Sequence, residues 1–434
     1  MSLLENGLRL LEMWWVKPLG TAATATLSVA ASITLILEAI ARLLQTGNLA
    51  IASRHVGAAD PQEAISAFCH TFILAVGVYM LLGPIGSGVA RPLILLLGWE
   101  ADVVGPAAGY IRIILLGSLV YLLKRVIYSA FYSFGDSKAP MKIMAAAVLA
   151  NAVLAPALIY GWGPIPRLEL NGAALAMILA QGLGVGVGLI MLQVRHRGHF
   201  NITGMVRTKL RWERFVEIAR IGLPVGAQTV SRSFSHLVML RIVSIFGTAA
   251  VAGYGVGSRV AGFPLMIATG ASIASGALVG QRLGAKDPDG AERAAYTATG
   301  MTCLILAATS AVAFTTAPWL IGQFTRDPET IVNGVAYLRM LALVHVFVGI
   351  TMCLRGAMNG AGYTLVPVYL ENIDLWVIQI PVAFLLGQHL GFGTQGLWWG
   401  IAISEVVLGI AYIWLFRMGR WKYVRIARPG TPHS

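Results

Sequence analysis

Ionisable side chains inside apolar runs are where this sequence could do chemistry, because a charge placed in hydrocarbon is costly unless it faces a cavity, a partner or an ion. Glu12 lies in LLEMWWVKPLG, beside Leu10, Leu11, Met13 and Trp14. A carboxylate so placed takes up and returns a proton, holds a cation, or snorkels from the end of its helix to water. Glu38 and Arg42 are four apart, and Gln228, Arg232 and His236 follow at i, i+4 and i+8, so each set shares one helical face. Such stripes either line a polar cavity or pair with one another and with backbone to hold helices together. Glu371 and Asp374 stand three apart at the expected opening of a helix. They would attract a cationic ligand at the cytoplasmic mouth, or complement the dipole of a solvated helix N-terminus.

The elements that must position these residues are membrane helices. Of 434 residues 57% are hydrophobic and only 12% charged, about half the roughly 25% usual in globular chains. With a mean hydropathy of +0.74, soluble enzymes, disordered proteins and single-span receptors are excluded. Apolar windows of about 20 residues predict helices near 3–18, 22–50, 66–97, 103–133, 138–161 and 171–194, then near 215–244, 248–280, 291–322, 330–357, 366–388 and 395–417. The expected fold is an all-α polytopic membrane protein of twelve transmembrane helices. Its lobes are read as 1–194 and 215–418, with a basic linker at 195–214 and a basic tail at 419–434.

A net charge of +13 does not point to nucleic acid here, because the basic residues sit in short connections rather than on one face. Alternate connections hold Arg54, then Lys138 and Lys142, six basic residues of the linker, Arg282, Lys286 and Arg293, and the tail residues Arg417, Arg420, Lys422, Arg425 and Arg428. The loops between them are poor in Lys and Arg, so both termini are expected in the cytoplasm. The chain also repeats itself. Gly20-Thr21-Ala22-Ala23 recurs as Gly247-Thr248-Ala249-Ala250, and Gly57-Ala58 with Asp60-Pro61 recurs as Gly284-Ala285 with Asp287-Pro288, each 227 residues on. The same shift carries Gly135 and Pro140 onto Gly362 and Pro367. Two homologous six-helix lobes follow, running parallel because six is even.

Other chemistries find no footing. Cys69, Cys303 and Cys353 lie in apolar segments without paired or metal-ligand spacing, so neither a disulfide framework nor a zinc site is expected. No Gly-Lys dipeptide occurs, which removes a Walker A loop and direct use of ATP. The glycines from Gly182 to Gly188 fall within an apolar helix and read as close packing. His55, His70 and His345 are expected to be structural, and the N-terminus, with Glu5 and Glu12, does not read as a signal peptide.

GTAAVAGYGVGSRV, VGQRLGAKDPDGAERA, LRGAMNGAGYTLVP and YSAFYSFGDSKAPM resemble the multidrug and toxic compound extrusion family, the MATE transporters, and the resemblance covers nearly the whole chain. It implies a twelve-helix, two-lobed secondary antiporter of the bacterial cytoplasmic (inner) membrane. Such a protein exports small amphipathic, often cationic compounds against protons or sodium by alternating access. The chain is expected to act as a monomer, with lipid and small organic substrates as its partners and no cofactor. LLEMWWVKPLG is similar to the family's first-helix pattern, in which an acid stands eight positions before a glycine, as Glu12 does before Gly20. The branch using that acid adds Asn and Asp in a fifth-helix NxxxDP pattern and a sixth-helix Thr; here Asn151 remains, while Ala155 and Met177 depart. One carboxylate and one amide serve a hard cation poorly, so the proton is the expected driving ion. Met1 corresponds to Gln228 under the repeat, so the first helix is short or the true start lies upstream. Two alternatives stay open: a flippase for lipid-linked saccharides, for which Arg232, Arg241 and Arg259 would suit phosphate, and a membrane scaffold that transports nothing.

Overall fold

The computed structural model describes residues 2–96, 101–163, 166–195 and 210–424. Those residues form helices and turns, with no strand among them. Two compact units, 1–226 and 227–434, divide the chain. The first holds α1 (Ser2–Val16), α2 (Thr21–Gly57), α3 (Pro61–Leu96), α4 (Ala101–Leu116), α5 (Ser118–Ser133), α6 (Lys138–Tyr160), α7 (Glu169–Arg195) and the opening of α8 (Trp212–Ser244). The second holds the rest of α8, α9 (Thr248–Gly284), α10 (Pro288–Gly322), α11 (Pro328–Gly360), α12 (Leu365–His389) and α13 (Gly393–Arg417), then a closing turn, Arg420–Tyr423.

Local chemistry sets the helix ends. α3 and α10 each begin at Asp-Pro, where proline fills a position that needs no N–H. Asp60 accepts from the backbone N–H of Glu63 (3.1 Å) and Asp287 from that of Gly290 (2.8 Å). Asp327, before Pro328, caps α11 through Thr330 N–H (2.9 Å). Ahead of α2 and α9 stand Gly20 and Gly247 at φ of 98° and 99°, a region glycine enters without strain.

The repeat read from the sequence recurs in the backbone of several elements. Adding 227 to the bounds of α2, Thr21–Gly57, gives those of α9, Thr248–Gly284. Left-handed backbone recurs at Ala59 (φ 57°) and Lys286 (φ 58°), and at Gly135 (78°) and Gly362 (80°). α11 answers to α4 and α5 taken together, which differ from it by a bend of 42° at Gly117. Ile178 of α7 packs into that bend, where a side chain on residue 117 would collide with it. α12 departs from regularity as well: π-helical turns at Asp374–Gln379 and Leu385–His389 flank Ile380–Phe384, which carries Pro381.

Nine helices among the described residues are long and apolar enough to cross a membrane, ten with the bent α4–α5 pair. α1 and the charge-rich α8 complete twelve, six per lobe. α1 has 15 residues, about 22 Å of rise against a hydrocarbon core of about 30 Å.

The boundary between units differs from the one expected. It falls at 226/227, inside α8, rather than in the 195–214 linker, of which residues 196–209 lie outside the described ones. The first turns of α8 belong to the first unit because they lie backbone to backbone on α2. A Cβ on Gly47 would stand 2.6 Å from the Ile218 carbonyl oxygen, and one on Gly222 would overlap the Leu43 carbonyl. Arg211 and Arg214 fasten the same end to α3, both reaching Glu63 (2.6 and 2.7 Å). The basic tail past Val424 likewise lies outside the described residues.

Each core has two apolar layers stacked along the helix axes. In the first unit α2 gives Ala30 and Leu37 to one layer and Ala41 and Leu44 to the other. In the second α13 gives Trp398 and Ile401 to one, Leu408 and Tyr412 to the other. The polar residues fall in the seams between: Glu38 on α2, Ser404 and Glu405 on α13.

Candidate functional site

In the first lobe Glu12 is half-buried on α1 and accepts a hydrogen bond from Tyr110 OH on α4 at 2.6 Å. α1 is tied again by Tyr160 OH of α6, which donates to the Trp15 carbonyl at 2.7 Å. Asn151, also on α6, is 3% exposed, and its Oδ1 has no hydrogen-bond partner. Ala155 is buried in the apolar core and Met177 packs at its edge; neither side chain brings an oxygen. Among the described residues these positions supply one carboxylate, one phenol and one amide oxygen.

Glu38 is held from two helices. Arg42 Nε reaches Oε1 at 3.0 Å, Arg125 Nη2 reaches Oε2 at 3.1 Å, and Tyr121 OH also donates to the carboxylate. The i, i+4 pair expected from sequence is present, yet it is the smaller part of the cluster. Lys124, buried on α5, lies 4.8 Å from the centre of the Tyr121 ring. Two guanidinium groups and one phenol thus meet the Glu38 carboxylate.

The second lobe gathers more acids. Glu371 is 0% exposed and is clamped by Arg355 Nη1 (2.8 Å) from α11, Arg232 Nη2 (2.7 Å) from α8 and Tyr412 OH (2.9 Å) from α13. One turn on, Asp374, 3% exposed, accepts from Ser404 Oγ at 2.7 Å. Glu405 follows Ser404 on the same helix, within electrostatic reach of Arg232, Glu371 and Arg355. Three carboxylates meet two guanidinium groups, so the fully ionised cluster carries one net negative charge.

These positions correct two expectations. Glu371 and Asp374 do not sit at a solvated helix N-terminus, because α12 begins at Leu365 and both side chains are buried within the lobe. Gln228, Arg232 and His236 share a face but neither bond one another nor stay together. Arg232 goes to Glu371, His236 Nδ1 meets Tyr254 OH on α9 at 3.1 Å, and Gln228 is buried with Nε2 unpartnered. Arg241 lies within 3.4 Å of Ser244 Oγ and is exposed, as is Arg259. Tyr110, Tyr121, Arg125, Arg355, Ser404, Glu405 and Tyr412 were not singled out from sequence. Glu405 carried a usable signal, a lone acid in an apolar run.

His70 accepts from the Arg211 N–H (3.0 Å) and His345 meets Ser310 (2.8 Å), both within packing networks. Cys69, Cys303 and Cys353 are free thiols. No group of three or more His, Cys, Asp or Glu among the described residues is placed to hold a metal ion.

The family model MatE matches residues 1–157 and 224–385. Among curated relatives, the probable multidrug resistance protein YpnP of Bacillus subtilis is 26% identical over 416 residues, covering 96% of this chain and 91% of the relative. The probable multidrug resistance protein NorM of Thermotoga maritima is 28% identical over 324 residues, 74% of this chain and 69% of the relative. The FAD transporter of Shewanella oneidensis is 26% identical over 419 residues, covering 94% and 90%. Among solved structures, an outward-facing multidrug resistance MATE family transporter superposes with a TM-score of 0.90 at 22% identity, covering 98% of this chain and 94% of that one. A MOP superfamily transporter from Pyrococcus furiosus gives 0.88 at 22%, with the same coverage. With the family model spanning most of both lobes and the fold shared along the whole chain, the protein belongs to the MatE family: it is a multi-pass membrane transporter and not an enzyme.

Proposed function

We propose that the protein exports small amphipathic, cationic organic compounds across the bacterial inner membrane in exchange for protons, by alternating access, with both termini in the cytoplasm. The observation that carries this reading is Glu12, a half-buried membrane carboxylate bonded to Tyr110 OH. With Asn151 Oδ1 unpartnered and no oxygen at Ala155 or Met177, these positions offer too few ligands for a sodium cage among the described residues, which favours the proton. Ionised, Glu12 accepts from Tyr110 and attracts positive charge. Once protonated it becomes a donor itself, the attraction is lost, and the bond to Tyr110 must be remade, which repacks α1. The relatives YpnP and NorM, named as probable multidrug resistance proteins, support the substrate class.

A second reading is export of an organic phosphate, either a dinucleotide or a lipid-linked saccharide. It is favoured by the relative named an FAD transporter. Arg232, on which the phosphate reading relied, is neutralised by Glu371. Proteoliposomes decide between these. Export of a cationic dye should follow an imposed pH gradient and ignore both ATP and a sodium gradient. Transport that persists with every gradient collapsed and ATP present rejects the antiporter, and competition by flavin dinucleotide but not by cationic dyes moves the assignment to the second reading.

A further inference from the structure

The repeat that relates the lobes also relates two arginines. Arg112 on α4 and Arg339 on α11 are 227 apart, and so are their acceptors. Arg112 Nε donates to the Ser87 carbonyl of α3 at 3.2 Å, and Arg339 Nε donates to the Phe314 carbonyl of α10 at 3.3 Å. In the second lobe the reason for that acceptor is visible. Pro318, four residues after Phe314, has no N–H to give, so the carbonyl is left open and the guanidinium closes it. Arg339 also lies over the Phe314 ring, 5.3 Å from its centre.

Tying Nε to backbone holds each guanidinium against the neighbouring helix, and its Nη groups make no hydrogen bond among the described residues. Both arginines are exposed, and neither enters an ion pair among the described residues. The surface around them is apolar: Leu116 (50% exposed) lies one turn from Arg112, and Leu343 (61%) one turn from Arg339, with Val89 and Val312 exposed on the partner helices. An exposed apolar face on a membrane helix is a lipid face, and a guanidinium there requires an anion within reach.

Depth identifies the anion. Arg339 is the twelfth residue of the 33-residue α11, about 16 Å along a helix of about 50 Å, while the hydrocarbon core is about 30 Å thick. A centred helix overhangs by about 10 Å at each end, which leaves the arginine Cα some 6 Å below the headgroup boundary, within reach of a snorkelling side chain. Arg112 stands at the matching position of the α4–α5 pair.

We propose that Arg112 and Arg339 form two equivalent sites, one on each lobe, for the phosphate of a phospholipid headgroup of net negative charge. A zwitterionic headgroup brings its own cation beside the guanidinium and is disfavoured. The planar Nη edge suits two phosphate oxygens at once while Nε stays on the carbonyl. These sites are independent of the transported compound and of Glu12.

Native mass spectrometry of the full-length protein, titrated in detergent with phosphatidylglycerol, phosphatidylcholine or inorganic phosphate, tests the proposal. Wild type should retain two phosphatidylglycerol molecules that resist a molar excess of phosphatidylcholine and of inorganic phosphate. Arg112→Gln and Arg339→Gln should each lose one, and the double variant both. Unchanged lipid retention in the double variant overturns the proposal, as does equal displacement by inorganic phosphate. Should a variant fail to fold, wild type alone still decides. Its thermal midpoint must rise with phosphatidylglycerol and not with phosphatidylcholine or phosphate, and equal responses to all three overturn the assignment.

Discussion

Glu12 and Glu371 are both membrane carboxylates, yet their partners give them different tasks. Tyr110 OH is the bond seen at Glu12, and a phenol can stay with the group through a change of protonation. Glu12→Gln copies the protonated form at equal volume, so gradient-driven export should fall by roughly tenfold or more, about 1.4 kcal/mol of coupling, with folding and insertion intact. Export at the wild-type rate with an unchanged pH profile removes Glu12 from the coupling step. Glu371 is a different case, because two guanidinium groups and a phenol already satisfy it. Glu371→Gln strands Arg355, which is mostly buried, and should cost about 3–5 kcal/mol of stability, read as a fall in the denaturation midpoint of the purified protein. A midpoint within error of wild type would show that Arg355 finds water or another acid. Sequence spacing found Glu12 and the Glu38–Arg42 pair because both are local. It could not pair Glu371 with Arg232, 139 residues away, and so left Glu371 at a helix end in water.

Between helices, the lobes solve one crossing in two ways. In the first, Asn48 of α2 donates to Ser129 Oγ of α5 at 2.7 Å. The equivalent residues in the second, 227 on, are Ser275 and Gly356. Gly356 has no hydroxyl to offer, and Ser275 Oγ is buried without a partner. What replaces the hydrogen bond is contact: Ser272-x-x-x-Gly276 of α9 meets Gly356-x-x-x-Gly360 of α11 backbone to backbone. A Cβ on Gly276 would stand 2.7 Å from the Gly356 carbonyl oxygen, and one on Gly360 would overlap that of Gly276. Gly360→Ala should therefore destabilise by about 1–3 kcal/mol or more, whereas Gly262→Ala, with open space around it, should be neutral. Equal midpoints for the two variants would mean that α9 and α11 can slide apart at no cost.

The existence of the helices is legible at this scale, but their ends are not: the apolar windows stop α2 near 50, whereas it runs to Gly57, and open α3 near 66, whereas it starts at Pro61. In the structure Asp-Pro and the turn glycines set the ends in both copies, because caps and left-handed turns depend on residues within four positions. The 42° bend at Gly117 and the π-helical turns of α12 depend on what packs against them, and spacing alone did not reveal them. At the Asp287 cap, the Gly290 N–H and then Arg282 hold the carboxyl below its ordinary value. A depressed carboxyl pKa stabilises the fold above the unfolded pKa, and that contribution is lost as pH falls through the folded one. Loss of protection at the start of α10 should accordingly appear only in acid, below the model-compound value of 3.8. Hydrogen exchange at Gly290 that does not change between neutral and acid pH, once corrected for its intrinsic rate, would exclude the cap as its cause.

At the scale of the molecule, sidedness follows from which connections share an end of each lobe. In the second lobe Lys422 reaches Glu292 at 2.5 Å and Asp289 at 3.6 Å, which brings the turn after α13 to the same end as the α9–α10 connection with Arg282 and Lys286. In the first, Arg211 and Arg214 reach Glu63, which brings the start of α8 to the end where α2 meets α3, beside Arg54. The opposite ends are poorer in basic residues: the α8–α9 and α12–α13 connections carry neither Lys nor Arg, while Lys17, Arg167 and Arg326 stand singly in others. Basic connections are retained in the cytoplasm, so a reporter inserted near Gly204 and another fused after Arg428 should both be cytoplasmic. An insertion at Gly391, between α12 and α13, should report from the far side. A periplasmic signal from either of the first two would break the twelve-span arrangement. A cytoplasmic signal from Gly391 alone would instead mean that α12, with its two π-helical turns, fails to cross.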